Sequence, residues 1–313
     1  MDRSDCNQAP GGRAAPRLTL LVGALPANPE DNAALIRQAF EDAGWQVRSL
    51  LLDSLRLGPA GPLAADGTGM LCPLLEADLL WVLGFGQRAA FLDKHQLLQS
   101  VEGRVPFVSR PSALLLYHSK YPFPGRPLPF PHPESWASAD PAWLLAQAQA
   151  GGGRWVLKPP AGSFGAELGF WASNDPGLPQ ALQEATAHGR YALLQREISD
   201  GPEWRLLVAG DQLLGAYERR PGTGLGGWNL AAGGSAHLTA LPRALRAPAC
   251  ALGLALARDG IGYAGLDLRG GQLLEANVIN PGGLGTLAAL GQPVAPDALV
   301  KAALRAAKLT NPA

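Results

Sequence analysis

Three oxygen-bearing side chains stand close together in a segment that is otherwise largely apolar. Asp267 is followed by a Gly-Gly pair, then by Glu275 and, two positions further, by Asn277. Side chains alternate between the faces of a strand, so Glu275 and Asn277 share a face, and a tight turn at the glycines returns Asp267 to their side. Mg²⁺ prefers such carboxylate and amide oxygens, with phosphates and water completing its shell. The segment predicts a magnesium site; the alternative is a hairpin with exposed polar residues.

A lysine followed by a glycine-containing loop forms a second candidate, in the sequence Lys-Pro-Pro-Ala-Gly-Ser-Phe-Gly that begins at Lys158. Glycines let backbone N–H groups approach phosphate oxygens, and the lysine adds a positive charge. The segment is not a Walker A loop, because no Gly-Lys-Ser/Thr closes it, nor a dinucleotide fingerprint, because a strand is predicted after it. Taken alone, it would be interpreted as a surface hairpin.

Arginines on two neighbouring predicted strands form a third candidate. Arg205, Arg219 and Arg220 precede the glycine-rich stretch 226–234. Arginine can bind carboxylate or phosphate through two parallel hydrogen bonds, and a glycine-rich loop can close over a ligand. The alternative is a solvent-exposed strand face with a mobile turn. The turn at 280–283 follows the predicted metal strand directly, so a functional loop there would face the same cavity.

Composition limits the class of protein. The chain has 313 residues, a length that predicts two or three packed units. Apolar residues make up 47%, which argues against disorder of the whole chain. Lys plus Arg and Asp plus Glu are equal at 26 each, which argues against a general binder of nucleic acid or anionic membranes. The three cysteines form no Cys-x-x-Cys pair and no zinc spacing, and they are typical of a reducing compartment.

The front of the chain has the rhythm of a small parallel α/β sheet. Residues 1–16 predict a loose tail. The apolar run 18–27 resembles a short signal peptide, but a buried first strand explains it better, because a helical pattern follows at once. Asp31 and Asn32 are candidate caps of that helix, which is predicted to end at Gly44.

Further elements follow in the same rhythm. Strands are predicted over 45–52, 78–85 and 105–108 and a helix near 88–101, while 53–77 is interpreted as irregular. No run approaches the roughly 18 apolar residues of a membrane span. The chain is therefore expected to be cytoplasmic.

Proline and glycine separate this unit from a different pattern behind it. Seven prolines within 121–142 predict a connector that is neither helix nor strand. Beyond it, strands are predicted over 154–158, 168–172, 191–198, 204–209, 212–219, 263–268 and 272–278, and helices over 177–188, 241–259 and 295–308. The fold class is therefore α/β for the front and α+β for the rest.

Taken together, these segments resemble the ATP-grasp superfamily and, within it, the prokaryotic glutathione synthetases. The specific matches are VLKPPAGSFGA, GGWNLAAGG and YAGLDLRGGQLLEANVINPGG, whereas the front of the chain matches only in its order of strands and helices. The resemblance implies an amino-terminal pre-ATP-grasp α/β domain over 17–112. It implies an ATP-grasp domain over 113–313, with a small lid subdomain at about 143–198.

The resemblance also implies a role for individual residues. The residues implied to contact the nucleotide are Lys120, Lys158, Gly162, Ser163, Phe164, Gly165, Gln195, Ile198 and Glu203. Arg205 and Arg219 are implied to lie near the reacting phosphate and carboxylate, and Asn229 in the loop that closes the site. Asp267, Glu275 and Asn277 match the Mg²⁺ ligands, and Asn280, Gly282 and Gly283 belong to the loop that contacts substrate.

The implied reaction joins a carboxylate to an amine through an acyl phosphate, at the expense of ATP and with Mg²⁺ or Mn²⁺. The family substrates are γ-glutamylcysteine and glycine, and the resemblance suggests a homo-oligomer; neither nucleic acid nor membrane is an expected partner. Two segments depart from the family. Gly84–Phe91 replaces a loop resembling Arg-Lys-Asp-Pro-Pro-Phe-Asp, and Asn280–Gly283 replaces a Ser-Pro-Thr loop.

Both departures fall on substrate recognition, so alternatives remain open. The chain is a glutathione synthetase, an ATP-grasp ligase for another peptide or amino acid, or a nucleotide-binding module without turnover. A structural protein would leave the polar residues of 265–277 unexplained.

Overall fold

The computed structural model describes residues 14–26, 31–121, 128–161, 168–222, 228, 230 and 233–311. Its strands are β1 (Arg17–Val22), β2 (Gln46–Leu51), β3 (Arg56–Gly58), β4 (Gly61–Ala65), β5 (Leu71–Pro73), β6 (Leu79–Leu83), β7 (Ser135–Ser138), β8 (Arg154–Lys158), β9 (Gly169–Ala172), β10 (Ala192–Arg196), β11 (Glu203–Ala209), β12 (Gln212–Arg220), β13 (Ser235–His237), β14 (Tyr263–Arg269) and β15 (Gln272–Asn277). Its helices are α1 (Asn32–Asp42), α2 (Phe91–Gln99), α3 (Pro111–Tyr117), α4 (Pro141–Gly151), α5 (Leu178–Thr186), α6 (Arg243–Arg258), α7 (Leu284–Ala289) and α8 (Pro296–Thr310).

The front of the chain forms the predicted parallel sheet, in the order β2–β1–β6. Strand β1 is buried from Leu18 to Val22 and mostly apolar there, because both of its faces are covered. Leu20 packs in one cluster with Ile36 and Phe40 of α1, and Leu21 packs in another with Ala64 of β4. A strand without polar alternation is what burial on two faces requires.

The loops that follow β1 and β6 touch each other at two glycines. A Cβ atom on Gly84 would overlap the backbone nitrogen of Gly23. The contact lies at the carboxyl ends of two parallel strands, which is the edge where open α/β sheets bind ligands. It brings the loop that departs from the family, Gly84–Phe91, against the loop after β1.

We expect Gly84→Ala to lower the free energy of unfolding by about 1–3 kcal/mol, because two backbone segments would have to separate to admit one methyl group. Urea denaturation of the variant measures this change. Gly282→Ala is the matched control, since no atom lies within 4 Å of its Cβ position. An equal effect of the two substitutions would show that the contact at Gly84 is not tight.

Two predictions for the front of the chain are wrong in detail. Residues 53–77 are not irregular but contain the antiparallel sheet β3–β4–β5. These strands have three to five residues, which is too short for alternation to stand out among glycines and prolines. The predicted strand 105–108 is reduced to two isolated bridges, which pair Phe107 with Leu80 and Val105 with Glu102.

The proline-rich connector also contains regular structure. Its segment 122–127 lies outside the described residues, but β7 pairs with β10, and α4 begins at Pro141. Proline is tolerated there because the first N–H of a helix has no intrahelical partner. Asp140 caps α4 by accepting hydrogen bonds from the backbone N–H groups of Ala142 and Trp143. The prediction of neither helix nor strand was therefore wrong for these two segments.

The chain from β7 to β10 forms an antiparallel sheet in the order β7–β10–β8–β9. It has its own apolar cluster with α4 and α5, which includes Leu144, Trp155, Leu182 and Leu194. Three of its strands, β8, β9 and β10, fall within the lid subdomain predicted at about 143–198, whereas β7 precedes it. The domain limits at 16, 112 and 143–198 remain predictions, and most of the predicted tail lies outside the described residues.

A five-stranded antiparallel sheet, β13–β12–β11–β14–β15, carries the polar residues singled out above. The predicted hairpin between β14 and β15 is confirmed. Gly270 and Gly271 have φ of 55° and 78°, values that a two-residue turn of this kind needs and that glycine adopts without strain. The mixed α/β and α+β class is confirmed as well. Among the described residues, no helix is both long and apolar enough to cross a membrane.

Candidate active site

The hairpin places the three predicted metal ligands together. Asp267 lies directly opposite Glu275, and Asn277 follows two residues later on the same face. The side-chain amide of Asn277 donates to Asp267 Oδ2 at 3.0 Å and to Glu275 Oε1 at 3.3 Å. No group of three His, Cys, Asp or Glu side chains with metal-binding geometry occurs in the described part of the chain. Two carboxylates and an amide nevertheless suit Mg²⁺, which keeps few protein ligands and takes phosphate oxygens.

Four cationic side chains surround these carboxylates. Arg205 donates from Nε and Nη2 to the two oxygens of Asp267, at 2.6 and 3.0 Å. Arg219 lies 2.7 Å from both Asp267 and Glu203, and Lys120 Nζ lies 3.2 Å from Glu275 Oε2. Lys158, described below, is the fourth. The site thus has more positive than negative side chains, as a site for a polyphosphate anion requires.

Neighbouring residues give Arg205 its position. Arg205 lies opposite Asp267 on the paired strands β11 and β14. Gly265 has no side chain, and a Cβ there would lie 2.8 Å from Arg205 Nη1. The guanidinium can therefore lie across β14, where it also donates to the carbonyl of Gly282 at 3.1 Å. One arginine connects the predicted metal site to the predicted substrate loop.

Burial and these charges shift the pKa values of the site. Burial raises the pKa of Glu275, but the charges of Lys120, Lys158 and Arg205 outweigh it, and the pKa falls to about 2. Burial raises the pKa of Glu203 to about 7, against the opposing charge of Arg219. Arg219 stays charged, because Asp267 and Glu203 raise its pKa further than burial lowers it. Near neutral pH, Glu275 is an anion and Glu203 is poised between its two forms.

The two predicted phosphate lysines stand next to each other. The backbone N–H of Lys120 donates to the carbonyl of Pro160, two residues after Lys158. Lys158 is buried at the end of β8, and its Nζ donates to Gln195 Oε1 at 2.8 Å. Burial lowers the pKa of Lys158 to about 8, although Glu275 and other carboxylates act against this.

A cleft of about 440 Å³ joins these groups, between the sheet of β7–β10 and the five-stranded sheet. Both lysines, Glu203, Arg219, Asp267 and Glu275 line one part of it. The apolar side chains along the rest of its wall are Val156, Leu168, Phe170, Ile198 and Leu274. Two further lining residues contact each other, since the ring of Trp228 lies 3.9 Å from the guanidinium carbon of Arg269. A charged part and an apolar part suit a ligand with a polyphosphate and a flat base.

The other predicted site residues fall into three groups, of which the first lies outside the described residues. Gly162, Ser163, Phe164, Gly165 and Asn229 lie outside the described residues. Gln195 and Ile198 line the cleft with Glu203, whereas Asn280, Gly282 and Gly283 form a turn beside Arg205. Asn280 has φ of 48°, a left-handed conformation that asparagine tolerates better than most residues. The individual roles of all these residues remain predictions.

Asn32 was missed as a residue of this region. It was predicted, together with Asp31, as a candidate helix cap, but Asp31 occupies the N-cap position and Asn32 is the first residue of α1. Its amide nitrogen donates to the Pro281 carbonyl and to Asn280 Oδ1, and its oxygen accepts from the N–H of Leu284. These partners satisfy both ends of a buried amide, which a cap would not. In the sequence, an asparagine beside a predicted helix start indicated only a capping role, and this indication was wrong for Asn32.

Comparison with known proteins extends these observations. The model of the prokaryotic glutathione synthetase ATP-grasp domain matches residues 131–292. The glutathione synthetase of Gloeobacter violaceus is 31% identical over 271 residues, which are 82% of this chain and 81% of that protein. That of Parasynechococcus marenigrum is 37% identical over 133 residues, or 41% of this chain. This second alignment spans only 43% of the relative, less than half its length.

Solved structures share the architecture at low identity. D-cycloserine synthetase DcsG has a TM-score of 0.65 and 15% identity, covering 94% of this chain and 99% of that one. The ATP-grasp ligase PsnB, complexed with a minimal precursor, has a TM-score of 0.62 and 16% identity, covering 93% and 99%. Similarity at this level shows the fold and leaves the substrate open.

Proposed function

Because the chain belongs to the prokaryotic glutathione synthetase family of the ATP-grasp superfamily, we propose that it is an ATP-dependent ligase that forms an amide through an acyl phosphate. One observation carries the proposal. Lys120, Lys158 and Arg219 line a single cleft together with Asp267 and Glu275, and Arg205 pairs with Asp267. Such a site can hold a triphosphate and a divalent cation together.

The proposed reaction has two steps. A carboxylate oxygen of the acid attacks the γ-phosphorus of ATP, the bond from that phosphorus to the bridging oxygen breaks, and ADP leaves. The amine nitrogen then attacks the acyl carbon, the bond from this carbon to the phosphate oxygen breaks, and inorganic phosphate leaves with the proton of the amine. No side-chain nucleophile is needed, so the protein contributes position and charge.

The residues of the site have separate tasks in this scheme. Asp267, Glu275 and Asn277 would hold Mg²⁺, which when bound neutralises phosphate charge and orients the phosphate oxygens. Lys120 exchanges Glu275 for a phosphate oxygen, and Lys158 contacts the phosphates from the other side. Arg205 and Arg219 stabilise the negative charge that develops during the transfer. Mn²⁺ is a second candidate for the same ligands.

The substrates are the open part of the proposal. The family implies γ-glutamylcysteine and glycine, but the two segments that depart from it, Gly84–Phe91 and Asn280–Gly283, are the ones that the resemblance assigns to substrate recognition. A ligase for another acid, peptide or amino acid is therefore the second candidate. The cytoplasmic location and the homo-oligomer expected from the sequence remain proposals of the same kind.

Phosphate release with ATP, Mg²⁺ and a panel of acids and amines tests the function. We expect ADP and phosphate to form only when a suitable acid is present, with amide formation when its amine is added. Selective formation of glutathione from γ-glutamylcysteine and glycine would identify the family substrates. Nucleotide binding without acid-dependent release of ADP for any acid would instead indicate a module without turnover.

We expect nucleotide affinity to fall above about pH 8, because Lys158 binds phosphate in its charged form and burial lowers its pKa to about 8. Below that pH the lysine is already protonated, so its own contribution to the affinity is constant. Above it a proton must bind together with the nucleotide, which costs up to about tenfold in affinity per pH unit. Calorimetric titration with ADP across this range measures the step, and Lys158→Met should remove it. The same step in Lys158→Met would assign it to another group.

A further inference from the structure

A chain of hydrogen bonds runs from the backbone of the proline-rich segment to Lys158. Ser135 Oγ donates to the carbonyl of Pro133 at 2.8 Å. Gln195 Nε2 donates to Ser135 Oγ at 3.0 Å, and Gln195 Oε1 accepts from Lys158 Nζ at 2.8 Å. Gln195 lies directly opposite Ser135 on the paired strands β10 and β7. Gln195 and Lys158 are both buried.

The Pro133 carbonyl determines which group donates and which accepts in each hydrogen bond of this chain. The Pro133 carbonyl can only accept, so the hydroxyl hydrogen of Ser135 points towards it. Ser135 Oγ must then accept from Gln195, and only the amide nitrogen of Gln195 can donate. The amide oxygen is thereby directed at Lys158, whose ammonium group can only donate. The two orientations of a glutamine amide are usually hard to tell apart, but here the backbone selects one.

The two phosphate lysines thus have different partners. Lys120 lies against the carboxylate of Glu275, so its charge is compensated within the site. Lys158 is held by a neutral amide, so its direction is set while its charge is left uncompensated by that partner. A carboxylate at position 195 would hold the ammonium as well, but it would compete with phosphate for the charge.

We propose that Gln195 is a positioning residue that directs Lys158 at the nucleotide phosphates through the Ser135 and Pro133 chain. The proposal rests on the proposed function, because it requires Lys158 to contact phosphate. It adds a task to Gln195 that the family resemblance did not imply, since that resemblance only places this position near the base. Its side-chain oxygen and nitrogen each have a protein partner before any nucleotide binds.

Two substitutions of similar size separate the effect of directing the Lys158 ammonium group from the effect of its charge. Gln195→Met removes the acceptor, and we expect the dissociation constant for ADP to rise roughly 10- to 100-fold, the range for a lost hydrogen bond to a charged group. Gln195→Glu keeps the acceptor but places a negative charge beside the ammonium, where it competes with phosphate, and we expect at least about a tenfold rise in the dissociation constant. Gln149→Met is the matched control, because Gln149 is exposed on α4, and its affinity should equal that of the wild type.

The pH profile of ADP binding gives a readout that a packing role would not change. In Gln195→Met the affinity should begin to fall at lower pH than in the wild type, because the ammonium has lost its acceptor. In Gln195→Glu the fall should move to higher pH, because a carboxylate favours the charged lysine. Opposite shifts support the proposal, whereas an unchanged midpoint in both variants overturns it.

Lys158→Met distinguishes failure of this inference from failure of the proposed function. If Lys158→Met binds ADP as the wild type does, Lys158 does not contact phosphate, and its role in the proposed function is wrong. If Lys158→Met binds weakly while Gln195→Met binds normally, Lys158 needs no positioning by Gln195. Thermal unfolding of each variant shows whether a loss of affinity reflects a loss of folded protein.

Discussion

Glu275→Gln is expected to lower amide formation by at least about a thousandfold, because the substitution removes the negative charge that a bound Mg²⁺ and its phosphates require. The shape of the side chain is retained, and its contact with Lys120 changes from an ion pair to a hydrogen bond. Single-turnover formation of ADP, measured with the acid found in the substrate panel, reports the phosphoryl transfer step. Circular dichroism should show a folded protein.

The control for Glu275→Gln is Glu218→Gln, the same substitution on β12. Glu218 bonds to Arg220 and Thr239 and does not line the cleft. We expect its turnover to equal that of the wild type. Near-normal turnover in Glu275→Gln at limiting Mg²⁺ would remove Glu275 from the set of metal ligands.

Arg219→Met is expected to lower both stability and activity. The side chain is buried and pairs with two carboxylates, so its loss leaves Glu203 without its cationic partner in the interior. Removing one partner of a buried ion pair costs about 3–5 kcal/mol of unfolding free energy. Loss of a charge that stabilises the transferring phosphoryl group costs roughly 10²- to 10³-fold in rate. Urea denaturation and steady-state turnover measure the two effects separately.

The adjacent residue provides the comparison. Arg220 follows Arg219 on β12, points to the opposite face and pairs with Glu218 at the surface. We expect Arg220→Met to leave both the denaturation midpoint and the turnover unchanged, since exposed ion pairs add little. Equal losses of stability and turnover in Arg219→Met and Arg220→Met would contradict this expectation. They would mean that any positive charge on β12 matters, rather than the buried ion pairs of Arg219.

The site could be predicted where its geometry is local. Asp267, Glu275 and Asn277 lie on two strands joined by a tight turn, so the two-residue period and the Gly-Gly pair suffice to place them on one face. Lys158 could also be predicted, at the end of the strand 154–158, because the pattern that predicts that strand is local in the sequence. The strands of 53–77 and helix α4 could not, since short strands carry little periodicity and the prolines of 121–142 pointed to a connector.

The remaining features depend on contacts between distant parts of the chain. Asn32 and Asn280 are separated by 248 positions, and Lys158 and Gln195 by 37. Residue type showed that each could donate and accept, but a hydrogen bond also requires a partner at the right distance and angle. For Asn32 the helix start was close in sequence and the true partners were not, so the cap prediction was wrong for Asn32, whereas Asp31 occupies the N-cap position.

The amino-acid sequence by itself determined which groups are available and which of them share a strand face, because alternation and turn formation depend on neighbouring residues. It also carried the motifs that identify the family. Only the tertiary structure decided which cation faces which carboxylate and which way the Gln195 amide points. Those pairings arise where β7, β8 and β10, or β11, β12 and β14, pack side by side, and the pairing of strands that no tight turn joins is a long-range property that the spacing of residues does not encode.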